Sequence, residues 1–226
     1  RYATLNGNQT KVGSIRMFRQ ENATWEILGE KIHGQQANDF FGWSVALSQD
    51  GLRVAASAIG SNDQKGEVRI FDFIGGAWVQ LGSNLVGEAE RENFGASLAM
   101  DKNGTFLAIG ANGYSKGGTA SSVGRVLTYQ YDDQTKDWIP LSDPIEGDKQ
   151  FDRFGSSVAL SANGTVLSIG SQENDDFGTD AGFIAIMQYD GISWSRIGSK
   201  LGRQDSQGGL FGFSIAMSTD GNRVVG

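Results

Sequence analysis

One eleven-residue pattern occurs four times in this chain and limits the folds that it can adopt. The copies begin at Phe41, Phe94, Phe154 and Phe211 and read FGWSVALSQDG, FGASLAMDKNG, FGSSVALSANG and FGFSIAMSTDG. They follow one another at intervals of 53, 60 and 57 residues. A repeat of this length, with alternating apolar residues and frequent glycine turns, indicates an all-β repeat architecture and not a helical one.

Each interval contains four short runs that have the pattern of β-strands. In the unit that begins at Phe41, these runs cover residues 41–48, 52–58, 66–71 and 77–82. The fourth run of every unit carries a tryptophan, at Trp25, Trp78, Trp138 and Trp194. Four strands joined by short turns predict an antiparallel blade, and blades packed around an axis form a β-propeller.

The two ends of the sequence predict how the propeller closes. Residues 211–226 supply the first two strands of a unit and residues 1–40 supply the last two, and these 56 residues equal one period. We therefore expect a single domain over residues 1–226, with four blades closed by pairing of the N- and C-terminal strands. A four-period slice of a longer array would give the same arithmetic and is the competing interpretation.

The repeated short sequence motifs resemble those of a known family. The four Phe-Gly pairs and the Gly110-Ala111 pair are similar to the FG-GAP repeats of integrin α-subunit β-propellers and their microbial extracellular relatives. The resemblance covers all 226 residues, although the proline of the Gly-Ala-Pro mark is absent. It implies a propeller fold with an adhesion or binding role. The family's calcium loop is missing, because SQDG, DKNG, SANG and STDG offer too few carboxylates for a Ca²⁺ cage.

Composition excludes several classes of function. The chain has no cysteine and a single histidine, His33, so thiol catalysis, disulfides and histidine-rich zinc sites are impossible. A net charge of −7 without a basic run argues against nucleic acid and anionic membranes as partners. No apolar run approaches the ~18–20 residues that span a bilayer. We expect a protein without catalysis, cofactor or membrane insertion.

Ligand-binding candidates come from the loops between the second and third strands, which supply most of the length differences between units. Variable loops on a constant scaffold are the usual place of recognition, and the expected ligand is a protein or a glycan. The candidates are Asn62, Asp63, Asn112, Tyr114, Asp175, Asp176 and Phe177. The alternative is that these loops differ in length without binding any ligand.

Acidic residues give weaker candidates for a metal. Asn174, Asp176 and Asp180 are spaced loosely like calcium ligands, but a solvated loop explains them as well. An acidic residue also stands two positions before Phe-Gly in three units, as Asp39, Glu92 and Asp152, with Gly209 in the fourth. These carboxylates either line a cation site or cap a turn, and the pattern favours the turn.

Four Asn-x-Ser/Thr sequons, at Asn8, Asn22, Asn103 and Asn163, bear on location. Asn103 and Asn163 precede glycine, so a two-residue hairpin turn also accounts for them. Asn8 and Asn22 favour a secreted or cell-surface glycoprotein. The first alternative to a binding module is a structural subunit assembled with copies of itself or with other extracellular proteins. The second is a propeller glycosidase or lyase, which needs two carboxylates facing one sugar.

Overall fold

The structure, a computed structural model, describes residues 11–118, 121–203 and 208–226. In this part of the chain, eighteen strands form five antiparallel sheets that follow one another along the sequence. Helical residues are confined to the single turns Ser61–Gln64 and Lys116–Gly118. The all-β prediction is confirmed.

The sheets contain the following strands. Sheet 1 consists of β1 (Ser14–Glu21) and β2 (Thr24–His33). Sheet 2 consists of β3 (Val45–Leu47), β4 (Arg53–Ala58), β5 (Glu67–Ile74), β6 (Ala77–Gln80) and the short β7 (Leu85–Val86). Sheet 3 consists of β8 (Phe94–Met100), β9 (Phe106–Ala111), β10 (Arg125–Asp132), β11 (Asp137–Pro140) and the short β12 (Ile145–Glu146). Sheet 4 consists of β13 (Phe154–Leu160), β14 (Val166–Ser171), β15 (Phe183–Tyr189) and β16 (Trp194–Arg196). Sheet 5 consists of β17 (Ala216–Met217) and β18 (Val224–Val225).

Sheets 2, 3 and 4 have the strand order of the predicted four-stranded blade. After the fourth strand, the chain returns to pair with the start of the third. In sheet 2, Leu85 lies opposite Val68, and in sheet 3, Ile145 lies opposite Val126. Leu201 forms the same contact with Ile184 in sheet 4. The short segment that follows each fourth strand is therefore the part of the connector that pairs with the third strand.

Every sheet is joined to the next by the same backbone hydrogen bond. The amide of the repeat phenylalanine donates to a carbonyl just before the third strand of the preceding sheet. The pairs are Phe41 to Val12 at 2.9 Å, Phe94 to Lys65 at 3.1 Å, Phe154 to Val123 at 3.1 Å and Phe211 to Ala181 at 2.9 Å. At Gly66, φ is +93° and a β-carbon would lie 2.2 Å from the Phe94 carbonyl oxygen. Only glycine fits such a joint.

Buried apolar clusters fill the spaces between consecutive sheets. Ile15 of sheet 1 packs with Val54 and Phe71 of sheet 2. The space between sheets 2 and 3 contains Ile70 and Leu98, together with the fully buried Ile109 and the almost fully buried Phe94. A third cluster joins Val126 to Val158, Ile169 and Phe183. Each sheet buries its apolar face against a neighbour, as expected for a propeller.

Three of the four fourth-strand tryptophans lie in these joints, and Trp25 does not. Trp78 donates its indole N–H to the Leu28 carbonyl of sheet 1 at 2.9 Å, and Trp194 donates to the Thr128 hydroxyl of sheet 3 at 3.0 Å. Trp138 is only 5% exposed. Trp25 is 70% exposed, because no described sheet lies in front of sheet 1.

The hairpins between first and second strands are wider than the two-residue Asn-Gly turn predicted at Asn103 and Asn163. The Gly104 amide donates to the Asp101 carbonyl, which gives a four-residue turn in which only the glycine has a positive φ, of +71°. The Asp101 carboxylate accepts the amides of Thr105 and Phe106, both at 2.6 Å. This side-chain acceptor stabilises the wider turn.

The predicted closure of a four-bladed ring is not confirmed. Sheets 1 and 5 each contain two strands, and no ladder joins β18 to β1 among the described residues. Sheet 5 packs on sheet 4, and sheet 1 packs on sheet 2. The described chain is therefore a row of three complete sheets with a half-sheet at each end, an arrangement that the competing interpretation also expects.

Candidate functional site

Loops and connectors alternate along one face of the sheets, and we call this surface the loop row. It comprises the second-to-third-strand loops, residues 59–66, 112–118 with 121–124, and 172–182, and the connector turns 35–40, 88–93 and 148–153. Backbone amides of Gly60, Gly113 and Arg153 donate to the carbonyls of Asp39, Glu92 and Ser122 at 3.1, 3.0 and 3.0 Å. In the third loop, the Asn174 amide group donates to the Asp152 carboxylate at 2.8 Å. Each loop thus contacts a connector turn, so the seven ligand-binding candidates lie in one continuous row.

A buried carboxylate organises each of the three connector turns. The carboxylate of Asp39 accepts the amides of Gln35 and Gln36, both at 2.7 Å. Glu92 accepts the amides of Glu88 and Ala89 at 2.8 and 3.0 Å. Together with Asp152, these side chains are between 0 and 4% exposed. The capping interpretation of the repeated acidic residue therefore holds for Asp39 and Glu92, whose turn geometry satisfies the carboxylate.

The connector turns contain non-glycine residues in the left-handed backbone region. Asn38 and Phe40 flank Asp39 with φ of +67° and +54°. The equivalent pairs are Arg91 with Asn93 and Phe151 with Arg153, where φ lies between +52° and +67°. Such conformations cost of order 1 kcal/mol each and persist where the surroundings impose them. The buried carboxylate and its amide donors are those surroundings.

In the loop of sheet 2, the two candidate residues are held close to the backbone turn. Asn62 and Asp63 have φ of +52° and +56°. The Asn62 amide group donates to the Glu67 carboxylate at 3.0 Å, while Asp63 is exposed. The next connector is fixed to this loop by the Arg91 amide, which donates to the Gln64 carbonyl at 3.0 Å. Both candidates of this loop are exposed, and Asn62 differs from Asp63 in that its amide group is bound to Glu67.

In the loop of sheet 3, Tyr114 belongs to a charged network. Its hydroxyl donates to Glu146 at 3.2 Å, and the Arg125 guanidinium lies 4.1 Å from the centre of its ring. Burial, followed by the Glu146 charge, raises the pKa of Tyr114. The ammonium of Lys116 lies 2.7 Å from the other Glu146 oxygen and lowers the pKa of that carboxyl.

Arg125 connects this network to the connector turn below it. Its Nε donates to the fully buried Glu92 at 2.6 Å, and its Nη2 donates to Glu88 at 2.8 Å. The other candidate of the loop, Asn112, accepts a hydrogen bond from the Asn93 amide group at 3.1 Å. Side chains of sheet 3 thus fix the loop and the connector in one arrangement.

In the loop of sheet 4, Asp176 lies between two lysines. Its carboxylate accepts hydrogen bonds from Lys149 and from Lys200, the latter at 2.6 Å. These two ammonium groups, Lys149 first, lower the pKa of Asp176. Phe177 packs against the third apolar cluster, and Asp175 accepts the Asp180 amide at 2.8 Å. Asp175 is exposed. The charge of Asp176 is neutralised by its two lysines, and Phe177 contributes to packing of the third apolar cluster.

The three weak calcium candidates do not form a cage. Asn174 is fully buried, donates to Asp152 at 2.8 Å and accepts the Asp176 amide at 2.8 Å. Asp176 is committed to its lysines, and Asp180 has a left-handed backbone with φ of +50°. In the described part of the chain, no group of three His, Cys, Asp or Glu side chains could hold a metal. The sequence spacing of these residues does not bring their oxygens to a common centre.

The sequons differ in their surroundings. Asn22 is exposed in the turn between β1 and β2, with φ of +46°. Asn103 and Asn163 are exposed in hairpin turns, and Asn163 accepts hydrogen bonds from Ser161 and Thr165. Asn8 lies outside the described residues. Asn22 is therefore the described sequon whose position is not explained by a hairpin between first and second strands.

Sequence analysis missed the cations and one aromatic residue of the loop row. Arg125, Lys149 and Lys200 each pair with an acidic residue of a connector or loop, and Phe151 is 59% exposed in the third connector turn. Arg125 and Lys200 occupy different positions within the repeat unit, so no periodic pattern in the sequence identifies them. The acidic residue two positions before the repeat phenylalanine was the available sequence signal, and among these ion pairs it identified only Glu92, the partner of Arg125.

No helix in residues 11–118, 121–203 and 208–226 is long and apolar enough to cross a bilayer. The loop row is the surface of the described chain on which the candidate residues lie. It presents exposed charges and one exposed aromatic side chain on a backbone held by buried carboxylates.

Comparison with known proteins agrees with this architecture. Residues 34–71, which run from the first connector through most of β5, match the family model described as FG-GAP repeat. A search of curated proteins finds no match. Two solved structures from Bacteroides, each described as a candidate 6-phosphogluconolactonase, share the fold.

The structure from Bacteroides uniformis has a TM-score of 0.59 and 10% identity, over 87% of this chain and 51% of that one. The structure from Bacteroides fragilis has a TM-score of 0.57 and 12% identity, over 85% of this chain and 49% of that one. The chain spans about half the length of these structures, and at such identities the likeness extends to the fold alone. The chain is a β-propeller protein that carries an FG-GAP repeat, as its resemblance to that family predicted.

Proposed function

We propose that this protein is a non-catalytic binding or adhesion module that recognises a protein or a glycan through the loop row. The observation that carries the proposal is the repeated construction of this surface. Three sheets hold their loops with the same connector contacts, while the residues at the loop tips differ from sheet to sheet. A constant scaffold with variable tips is the usual design of a recognition surface.

The accessible side chains of the loop row suit a polar ligand with an apolar part. Asp63 and Asp175 are exposed carboxylates, and Phe151 is an exposed aromatic ring. Aromatic side chains contribute strongly to protein interfaces, and exposed charges accelerate and orient association. The buried acidic and basic residues beneath them keep the backbone in place.

A binding screen with matched variants tests this function. The purified chain would be applied to a printed glycan array and to a panel of immobilised extracellular matrix proteins. Asp63→Ala, Phe151→Ala and Asp175→Ala should each weaken any specific signal by about 5-fold or more, as expected for contact residues that cost about 1 kcal/mol.

Lys102→Ala and Asp133→Ala serve as controls, because these residues lie in turns at the opposite ends of the strands. Binding that is equally weakened by the controls, or unaffected by the three loop-row variants, would show that another surface is responsible.

A structural subunit of a larger extracellular assembly is the second candidate function. It is favoured by the exposed apolar side chains of sheet 1, where Phe18, Trp25 and Ile27 are 53, 70 and 57% exposed. Large apolar patches on a soluble protein mark contact surfaces. Pairing with copies of itself or with other extracellular proteins would cover them.

A propeller glycosidase, lyase or lactonase is the third candidate. It receives less support, because four described carboxylates in and beside the loop row are already paired. Asp39 and Glu92 accept backbone amides, and Glu146 and Asp176 are bound to lysines. Hydrolysis of 6-phosphogluconolactone or of a glycoside panel by the purified chain, abolished by Glu146→Gln, would overturn the non-catalytic proposal.

The location and the ring are also parts of this proposal. A secreted or cell-surface location is supported by the exposed sequon at Asn22, and mass spectrometry of the natural protein should find an N-glycan there.

Closure into four blades would pair residues 211–226 with residues 14–33 of the same chain. Residues 211–226 and 1–40 together equal one repeat length, which supports this closure. The terminal sheets 1 and 5, which do not pair with each other among the described residues, do not support it.

A further inference from the structure

A cavity of about 190 Å³ lies in the joint between sheets 3 and 4. Its apolar walls are formed by side chains from both sheets, namely Ile145, Phe154, Phe183, Ala185 and Met187. In another protein, a cavity of about 150 Å³ with aliphatic and aromatic walls binds benzene. The space between sheets 3 and 4 is therefore large enough for a six-membered ring.

The cavity exists because Ala185 stands where sheet 2 has a large side chain. In the register of the sheets, Ala185 corresponds to Arg69. The Arg69 guanidinium donates to the His33 carbonyl at 3.1 Å and lies 4.1 Å from the centre of the Phe41 ring. His33 and Phe41 correspond to the last residue of β12 and the first residue of β13, which both line the cavity. Between sheets 1 and 2, Arg69 therefore occupies the space that is open between sheets 3 and 4.

Sheet 3 fills the same position with a leucine. Leu127 packs against the cluster that contains Leu85 and Phe94, which are the counterparts of Ile145 and Phe154. Sheets 2 and 3 thus each place one large side chain in the space that the alanine of sheet 4 leaves open. The cavity is a local departure from the repeat and not a property of every joint.

Two cations beside the cavity also distinguish sheet 4 from sheets 2 and 3. Arg196 and Lys200 both line the cavity, and the Lys200 ammonium lies 4.2 Å from the centre of the Phe183 ring. Sheets 2 and 3 have uncharged residues at the corresponding positions, namely Gln80, Asn84, Pro140 and Pro144. Three positions at which sheet 4 departs from sheets 2 and 3 therefore meet at one cavity.

The charges around the cavity favour an anionic ligand. Arg196 is exposed and forms no ion pair with a described residue. The carboxylates that line the cavity, Glu146 and Asp148, are bound to Lys116 at 2.7 Å and to Lys200 at 3.0 Å. A ligand therefore meets one guanidinium without an anionic partner and carboxylates that already have a cationic one. A guanidinium binds a carboxylate through two parallel hydrogen bonds.

We propose that this cavity binds a small organic carboxylate whose apolar group has the size of a phenyl ring. The apolar group fills the space beside Ala185, and the carboxylate binds Arg196 on the exposed side. Apolar walls with a few polar groups that fix orientation are the usual composition of a small-molecule site. The site lies within a joint and not at the loop tips, so it does not depend on the ligand proposed for the loop row.

Methyl NMR of the methionines tests the proposal. The methionines of the chain are Met17, Met100, Met187 and Met217. Of these, Met187 lines the cavity. Phenylacetate should shift the methyl signal of Met187 and leave the other three in place, with a dissociation constant of about 1 mM or below for a ligand of about ten non-hydrogen atoms. Phenylacetamide, which has the same ring without the charge, should bind at least about 10-fold more weakly.

Three variants separate the contributions of charge and space. Arg196→Gln should weaken phenylacetate binding by at least about 10-fold. Lys136→Gln removes a positive charge from the exposed turn between β10 and β11 and should leave binding unchanged. Ala185→Leu introduces the side chain that sheet 3 has at this position and should abolish binding. The signals of the other three methionines report that each variant is folded, and Ala185→Val replaces Ala185→Leu if the larger side chain disturbs them.

Several results would overturn the proposal. One is the lack of a saturable shift of Met187 up to about 10 mM phenylacetate. Equal binding of the acid and the amide, or equal losses with Arg196→Gln and Lys136→Gln, would mean that no specific carboxylate contact exists. Binding that survives in the folded Ala185 variants would place the ligand outside the cavity.

Discussion

The tryptophans of the four fourth-strand segments show how one residue type acquires different roles at the same position of a repeat. Trp138 is 5% exposed between sheets 2 and 3, whereas Trp25 is 70% exposed on sheet 1. We expect Trp138→Ala to lower the free energy of unfolding by about 3–5 kcal/mol, because it leaves a cavity in a joint. Trp25→Ala should change it by less than about 0.5 kcal/mol. Equal losses in urea denaturation would contradict these placements.

Two aspartates of the loop row should affect stability in opposite directions as pH changes. Burial raises the pKa of Asp152 above its ordinary 3.8, so its contribution to stability is present below the unfolded pKa. That contribution is lost as pH rises through the folded pKa. Lys149 and Lys200 lower the pKa of Asp176, so its contribution is present above the unfolded pKa and is lost as pH falls through the folded value.

Unfolding measured from about pH 3 to about pH 7 separates the two aspartates. Asp152→Asn, which keeps an oxygen for Asn174, should gain stability relative to the parent as pH rises. Asp176→Asn should lose stability over the same range. The same slope for both variants would mean that burial and ion pairing do not act on them as described.

At the scale of elements, the joints between sheets depend on glycines that the repeat pattern alone does not explain. A β-carbon at Gly66 would lie 2.2 Å from the Phe94 carbonyl oxygen, which belongs to the next sheet. Gly75, in the turn between β5 and β6, also has a positive φ, of +61°, but no atom lies within 4 Å of its added β-carbon. Both glycines have a positive φ, but only at Gly66 would an added β-carbon meet atoms of another sheet.

This difference predicts the cost of alanine at each position. Gly75→Ala should lower the unfolding free energy by about 1 kcal/mol, the cost of a left-handed alanine. Gly66→Ala should cost at least about 2 kcal/mol more, because the joint must also open. Thermal denaturation of both variants measures the difference. If the two losses are alike, close approach at the joint does not limit the residue type.

At the scale of the whole molecule, the complete sheets and the half-sheets should differ in local stability. β9 lies in the middle of sheet 3, and five of its six residues are buried. β1 and β18 each have one edge without a described partner, and most of their residues are at least partly exposed. Edge segments with few buried contacts open at a lower free energy than the global transition.

Hydrogen exchange at a concentration low enough to keep the chain monomeric should therefore find fast exchange in β1, β17 and β18 and slow exchange in β9 and β14. Uniform protection along the chain would contradict the row of three complete sheets between two half-sheets.

The sequence by itself determined the repeat unit. Three of the four copies of Phe-Gly-x-Ser are followed by three further strand patterns and a tryptophan, and this order fixes four antiparallel strands and the apolar face of each sheet. Alternating apolar residues and glycine turns define the strands of each sheet within some fifty residues. They can therefore be recognised in the sequence without knowledge of tertiary contacts. The loops that form one row were predicted by the same reasoning, because equivalent stations of a propeller share a face.

Only the tertiary structure decided what those loops contact and whether the two terminal half-sheets pair. Arg125, Lys149 and Lys200 reach acidic residues from other stations of the repeat, and no period relates them. Closure depends on whether small rotations at successive joints bring the terminal half-sheets together. The sequence marks sheets 1 and 5 as complementary, but complementarity is the same within one chain and between two. The separation of β1 from β18 is a property of the summed joint geometry, which no single repeat encodes.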